Sequence, residues 1–205
     1  MVQDNAILWI DLETTGSSDD AAIIEFGAVL TDGSPDLRQL GEYSATIYTE
    51  QMYEAPIVAE MHLKSGLDAA LDNPDFTDIQ SLEKDVLRWI NDTVGFSKEH
   101  MPWGGSGVGH FDSKYIRRDM PYLSKRLTYW VYDVGVLRRM LRLAGVDYES
   151  PSGDSLTKTH RAVEDIKLHV QEARDYINLF KTHAQWRNVW ADFAGKGEEN
   201  VTLTR

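Results

Sequence analysis

The segment Ala6 to Asp11 reads AILWID, a short apolar run that ends on a charge. Such a run is suited to a buried strand, and strand ends are where working side chains sit. Glu13 follows two residues later. Residues two apart on a strand point to one face, so Asp11 and Glu13 set two carboxylates side by side. Burying them together is costly unless a cation or a basic side chain answers the charge. Taken alone, the Asp-x-Glu pattern is more often a turn with a solvated face.

The runs Ala22 to Thr31 and Glu42 to Tyr48 supply two further strands, joined through a Gly33-Ser34-Pro35 turn, which completes a three-stranded meander. Apolar residues then recur at helical spacing over Ile57 to Leu71 and over Thr77 to Val94, with Asn73-Pro74 between. Trp103 to Gly109 holds a short buried strand and delivers the chain to Phe111-Asp112 and a helix through Met120, which Pro121 ends. Leu127 to Asp133 reads as a strand, Val134 to Ala144 as a helix closed by Gly145, Ser150 to Thr159 as a loop, and Arg161 to Phe180 as a long amphipathic helix. A meander followed by alternating strands and helices predicts an α/β fold with a mixed sheet. At 205 residues, the expectation is one domain over residues 1–194 and a polar, flexible tail over 195–205.

The absence of cysteine excludes disulfides, thiolate nucleophiles and cysteine-held zinc or iron–sulfur sites. Neither a signal peptide nor a membrane span is visible, so a soluble cytoplasmic protein is expected. The formal charge of -12 argues against a protein that coats long duplexes by neutralising many phosphates. It leaves open an enzyme that grips one chain end. Residues 113 to 142 carry eight basic residues against Asp119 and Asp133, a local +6. Solvated helix faces and a phosphate-tracking patch account for it equally well.

Three separated segments change the weight of the first acid pair. They are Asp11-Leu12-Glu13-Thr14-Thr15-Gly16, then Gly109-His110-Phe111-Asp112, then His160-Arg161-Ala162-Val163-Glu164-Asp165. In this order the set resembles the DEDDh 3'-5' exonuclease family, whose motifs are D-x-E, a central D after a glycine-containing strand, and H-x4-D near the C-terminal helix. Within that family the likeness is nearest to oligoribonucleases, on WIDLETTG, on Met61-His62 with Ser65-Gly66-Leu67, and on Tyr129 to Leu137. DNA polymerase proofreading exonucleases share the same three motifs.

The resemblance implies a ribonuclease H-like fold, a five-stranded mixed sheet flanked by helices. It implies hydrolysis of short RNA or other single-stranded nucleic acid from the 3' end to nucleoside 5'-monophosphates. Asp11, Glu13, Asp112 and Asp165 become the implied ligands of two Mg2+ ions, with Mn2+ as substitute and Asp11 bridging. Hard carboxylate oxygens suit magnesium, and two-metal sites hold their ions about 3.5–4 Å apart. His160 becomes the general base. It lies five residues before Asp165, about 140° away on a helix, so it belongs in the preceding loop. An imidazole with a pKa of about 6.5 accepts a proton at neutral pH.

Thr14, Thr15, Gly16, His62 and His110 form the implied substrate-binding set, the glycine permitting close approach to the terminal ribose. An ordinary turn and a core histidine are the alternatives for Thr14 to Gly16 and for His62, and Asp112 could instead cap the helix it precedes. One stretch departs from the pattern. Trp130-Val131-Tyr132-Asp133-Val134-Gly135-Val136 lacks the arginine and the Ser-x-Thr-like hydroxyls that cap a 5' phosphate in dinucleotide-selective oligoribonucleases, so longer chains are expected to be accepted. A homodimer is expected by likeness alone. The competing readings are a proofreading-type DNA exonuclease and a non-catalytic module that binds nucleic-acid ends, and choice between RNA and DNA has no signature here.

Overall fold

The computed structural model describes residues 5–72, 77–97, 100–146, 148–151 and 159–182. Asn73-Pro74, most of the Ser150 to Thr159 loop and the 195–205 tail lie outside the described residues. The first apolar run continues as strand through its acid pair, because β1 spans Ile7–Thr14 and is buried along its length. It is followed by β2 (Ile23–Thr31) and β3 (Gln39–Thr46), then by α1 (Pro56–Ser65), α2 (Leu67–Leu71) and α3 (Ile79–Val94). The second half runs β4 (Met101–Gly105), α4 (Asp112–Asp119), α5 (Pro121–Arg126), β5 (Leu127–Asp133), α6 (Val134–Leu143) and α7 (Ala162–Thr182).

The strands form one five-stranded sheet in the order β3-β2-β1-β4-β5. The meander pairs are antiparallel, whereas β1–β4 and β4–β5 are parallel, which makes the sheet mixed. Strand alternation then divides the core in two. Leu8, Ile10, Phe26 and Leu30 face α3, α4 and α5, while Ile7, Trp9 and Val29 face α7 through Ile166, Val170 and Tyr176. Each fully buried side chain of this kind contributes about 1.5–3 kcal/mol, so covering β1 on both faces makes it the rigid centre of the fold.

The same alternation places Asp11 and Glu13 on the α7 side. Their register partners on β2 are Gly27 and Glu25. A Cβ added at Gly27 would lie 2.4 Å from both the carbonyl carbon of Ala162 and the amide nitrogen of Val163. The missing side chain is what lets the first turn of α7 rest on the sheet opposite Asp11.

Several boundaries differ from the sequence expectation, β3 among them, which starts at Gln39 and ends at Thr46. The helix expected over Ile57 to Leu71 is two helices, because Gly66 adopts φ +75°, a left-handed conformation that suits glycine and caps α1. Pro121 does follow the end of α4, but it also opens α5 at a first-turn position where its missing N–H costs nothing. Buried Glu83 accepts from the next two amides, Tyr122 at 2.6 Å and Leu123 at 2.9 Å. The strand expected within Trp103 to Gly109 starts at Met101 and stops at Gly105, after which the chain turns through Gly107 at φ +77° toward α4.

Candidate active site

The four sequence-selected acids all belong to the buried interior near the C-terminal end of β1. Relative exposures are 9% for Asp11, 7% for Glu13, 3% for Asp112 and 2% for Asp165. Asp11 and Glu13 come from β1 itself. Asp112 is the first residue of α4, and it does not serve as the helix cap that was its alternative role, since Phe111 occupies that position. Its Oδ1 instead accepts from the Leu12 amide at 3.0 Å. The β1–β4 pairing runs only through Trp9↔Gly104, so this carboxylate takes up an amide that β4 no longer reaches.

Asp165 arrives from the first turn of α7. Its Oδ1 accepts from the Thr159 amide at 3.0 Å and the Thr159 hydroxyl at 2.9 Å, which folds the loop back over the helix start. His160 therefore sits in the loop, as expected, and its backbone has φ +52°. Glu13, His160 and Asp165 each present a ligand atom within 4.8 Å of the others. Asp11 and Asp112 lie outside that circle.

The turn after β1 is held by several bonds. Thr14 Oγ donates to the Gly16 carbonyl at 2.5 Å, the Thr15 amide to Ala22 O at 2.9 Å, and the Glu54 amide to Thr15 O at 2.9 Å. A cavity of about 310 Å³ opens beside it, bounded by Glu13, Thr14 and Gly16 on one side and by the apolar side chains of Leu12, Met61 and Phe111 on the other. Thr14 and Gly16 line that cavity, whereas Thr15 does not. His62 is fully buried, with its ring beside Tyr53. Its Nε2 donates to Thr14 O at 3.1 Å and its Nδ1 lies 3.9 Å from Glu13 Oε2. Burial pushes its pKa below the ordinary imidazole value. With no exposed surface, His62 braces the end of β1. His110 is exposed on the turn before α4 and lies outside the cavity wall.

Two contributors were not selected from the sequence. Glu54 clips the turn, accepting from the Ser17 and Ser18 amides at 2.8 and 3.1 Å, and its carboxyl carbon lies 2.0 Å from where a Gly16 Cβ would stand. Glu25, fully buried on β2, holds the start of α7. A charged residue inside the otherwise apolar run AIIEFGAVLT was the available signal for the second.

The basic segment divides its work. Lys114 Nζ donates to Ser17 O at 2.7 Å and Arg118 Nη2 to Ala21 O at 2.7 Å, bracing the turn. Arg126 reaches Asn91 Oδ1 at 2.6 Å, and Arg138 forms an ion pair with buried Glu172. Half of the eight basic side chains are thus struts within the fold, not members of a continuous phosphate track.

The chain has counterparts among known proteins. A family model described as exonuclease matches residues 8–173. The oligoribonuclease of Nocardia farcinica is 31% identical over 182 residues, covering 85% of this chain and 81% of that protein. The oligoribonuclease of Streptomyces coelicolor is 34% identical over 179 residues, 83% of this chain and 84% of that protein. Among solved structures, E. coli exonuclease I with a bound oligonucleotide superposes with a TM-score of 0.60 at 19% identity, over 89% of this chain. This chain spans 42% of that protein, and the likeness is one of fold. Among the described residues no helix is long and apolar enough to cross a membrane. Matched by the family model over most of its length, the chain belongs to the exonuclease family and is a 3'-5' exonuclease.

Proposed function

We propose that this exonuclease degrades short RNA, or other single-stranded nucleic acid with a free 3' end, to nucleoside 5'-monophosphates. In this reading Asp11, Glu13, Asp112 and Asp165 hold two divalent cations, Mg2+ or Mn2+, and His160 is the general base. The observation that carries it is the convergence of Glu13, His160 and Asp165 within 4.8 Å at the end of β1. The family is metal-dependent, and these residues form an acidic group able to hold an ion. The donor set fits, because buried carboxylates offer the hard oxygens that magnesium takes and are costly to gather without a cation. Such cations, when bound, supply charge neutralisation on the phosphoryl oxygens and acidify an attacking water.

The protein's own groups do the rest. The imidazole of His160 accepts the proton of the attacking water, since its loop position leaves the residue partly exposed beside the acids. The cavity next to Glu13 receives the 3'-terminal nucleoside, its base against the apolar wall of Leu12, Met61 and Phe111 and its ribose against Thr14 and Gly16. Thr15 and His62 hold that wall from behind. The names of the relatives favour RNA over DNA as the substrate. A second copy of the chain is the expected partner, supported by apolar side chains left exposed on the β5 edge and α6, among them Tyr129, Met140 and Leu143.

Substrate length tests this reading. Initial rates on two-, five- and twenty-nucleotide RNA and DNA are expected to favour RNA, with the two- and five-nucleotide RNAs within about tenfold of each other, roughly 1.4 kcal/mol. A much steeper preference for dinucleotides would restore a 5' cap that residues 130–136 do not supply. Faster DNA turnover would move the protein to the proofreading type.

A further inference from the structure

Glu25 has no part in the chemistry above, yet it is a fully buried carboxylate in direct register with Glu13. Like charges directly opposite in a sheet repel, and a buried charge left unanswered is strongly destabilising. The answer comes from the start of α7. Arg161 donates from Nε at 2.9 Å and Nη2 at 2.8 Å to Glu25 Oε1, and the Ala162 amide donates to Oε2 at 2.8 Å. An anion at that amide also meets the positive end of the helix dipole.

These bonds begin one residue after His160. On its other side, Thr159 is tied to Asp165 through its amide and hydroxyl. His160 is thus held between two anchors in a left-handed conformation, φ +52°, which is strained for a residue other than glycine. A residue held in a strained conformation relaxes toward commoner backbone angles when what holds it is removed. Gly27 supplies the clearance that brings both anchors onto the sheet.

We propose that Glu25 is a positioning residue, which acts through Arg161 and the Ala162 amide to hold His160 in the backbone conformation that aims its imidazole at the scissile phosphodiester. The proposal rests on His160 being the general base, and the experiment separates the two. Turnover would be measured for Glu25→Ala, Glu25→Gln, Arg161→Ala and Arg161→Lys, each alone and in a His160→Ala background, alongside Mn2+ affinity by calorimetry and thermal melting.

Glu25→Ala and Arg161→Ala are expected to lower kcat on the order of 10²-fold, with KM and Mn2+ affinity changed less than about threefold, because only the base's contribution is lost. Glu25→Gln keeps an oxygen for the Ala162 amide and falls between, and Arg161→Lys, lacking the planar fork, restores kcat only in part. In the His160→Ala background, Glu25→Ala should cost nothing more. A full additional loss there, or a fall in Mn2+ affinity that matches the fall in kcat, overturns the positioning role while leaving the base in place. Unchanged kcat in His160→Ala alone removes the base and the positioning role together. Should Glu25→Ala fail to fold, Arg161→Ala carries the same prediction from the more exposed end of the pair.

Discussion

Asp11→Asn protein is expected to lose at least about 10³-fold in metal-dependent degradation of a 3'-labelled oligonucleotide, several kcal/mol of transition-state stabilisation. Its melting temperature in metal-free buffer should be unchanged or higher. The two expectations share one cause. Asp11 stands on the face of β1 that also carries Glu13, with Asp165 on the helix packed over it. Without cations these buried charges repel, so deleting one relieves the fold while it removes a ligand. Wild-type protein should gain stability on addition of Mg2+, because a ligand that binds only the folded state raises its melting point, and the variant should gain much less. Full activity in purified Asp11→Asn would place the chemistry elsewhere.

Gly27→Ala is the second large effect, and it touches no charged group. The new Cβ meets the backbone of Ala162 and Val163 at 2.4 Å, and the Ala162 Cβ at 2.8 Å, so no side-chain rotation can clear it. The start of α7 must lift from the sheet. Overpacking of this kind costs about 1–3 kcal/mol, and a displacement near 1 Å at a reacting group costs about 10²-fold in rate. Urea denaturation and turnover are therefore expected to fall together. Gly66→Ala is the control, since that glycine has open space around it but a φ of +75°. It should lose about 1 kcal/mol of stability to backbone strain with little change in kcat. Equal loss of turnover in both variants would mean that general destabilisation, not the seating of α7, governs activity.

Much of this architecture was legible in the sequence because the strands of the central sheet carry strong local signals. AILWID and AIIEFGAVLT are short apolar runs suited to covered strands, and Arg161 to Phe180 has a clear helical stripe. The spacing of His160 and Asp165 also placed the histidine in a loop, where it is found. What periodicity cannot express is closeness between segments far apart in the chain. Gly27 looks like any glycine in a strand until α7 is seated on it, and Glu25 looks like an interruption until Arg161, 136 residues away, pairs with it. His62 shows the same limit, because a motif position does not reveal that its side chain is buried against the end of β1. Composition left the basic segment open between solvated faces and a phosphate patch, and the structure commits Lys114 and Arg118 to carbonyls of the turn after β1.

The most direct measurement of the central claim is an anomalous-scattering map from crystals soaked in Mn2+. Two peaks about 3.5–4 Å apart are expected. Carboxylates of Asp11, Glu13, Asp112 and Asp165 should ligate them, with the His160 imidazole alongside but not bonded to either. A single ion ligated by Glu13, Asp165 and His160 would make the histidine a ligand and contradict its role as base. Peaks elsewhere, or four carboxylates turned away from one another, would contradict the site itself.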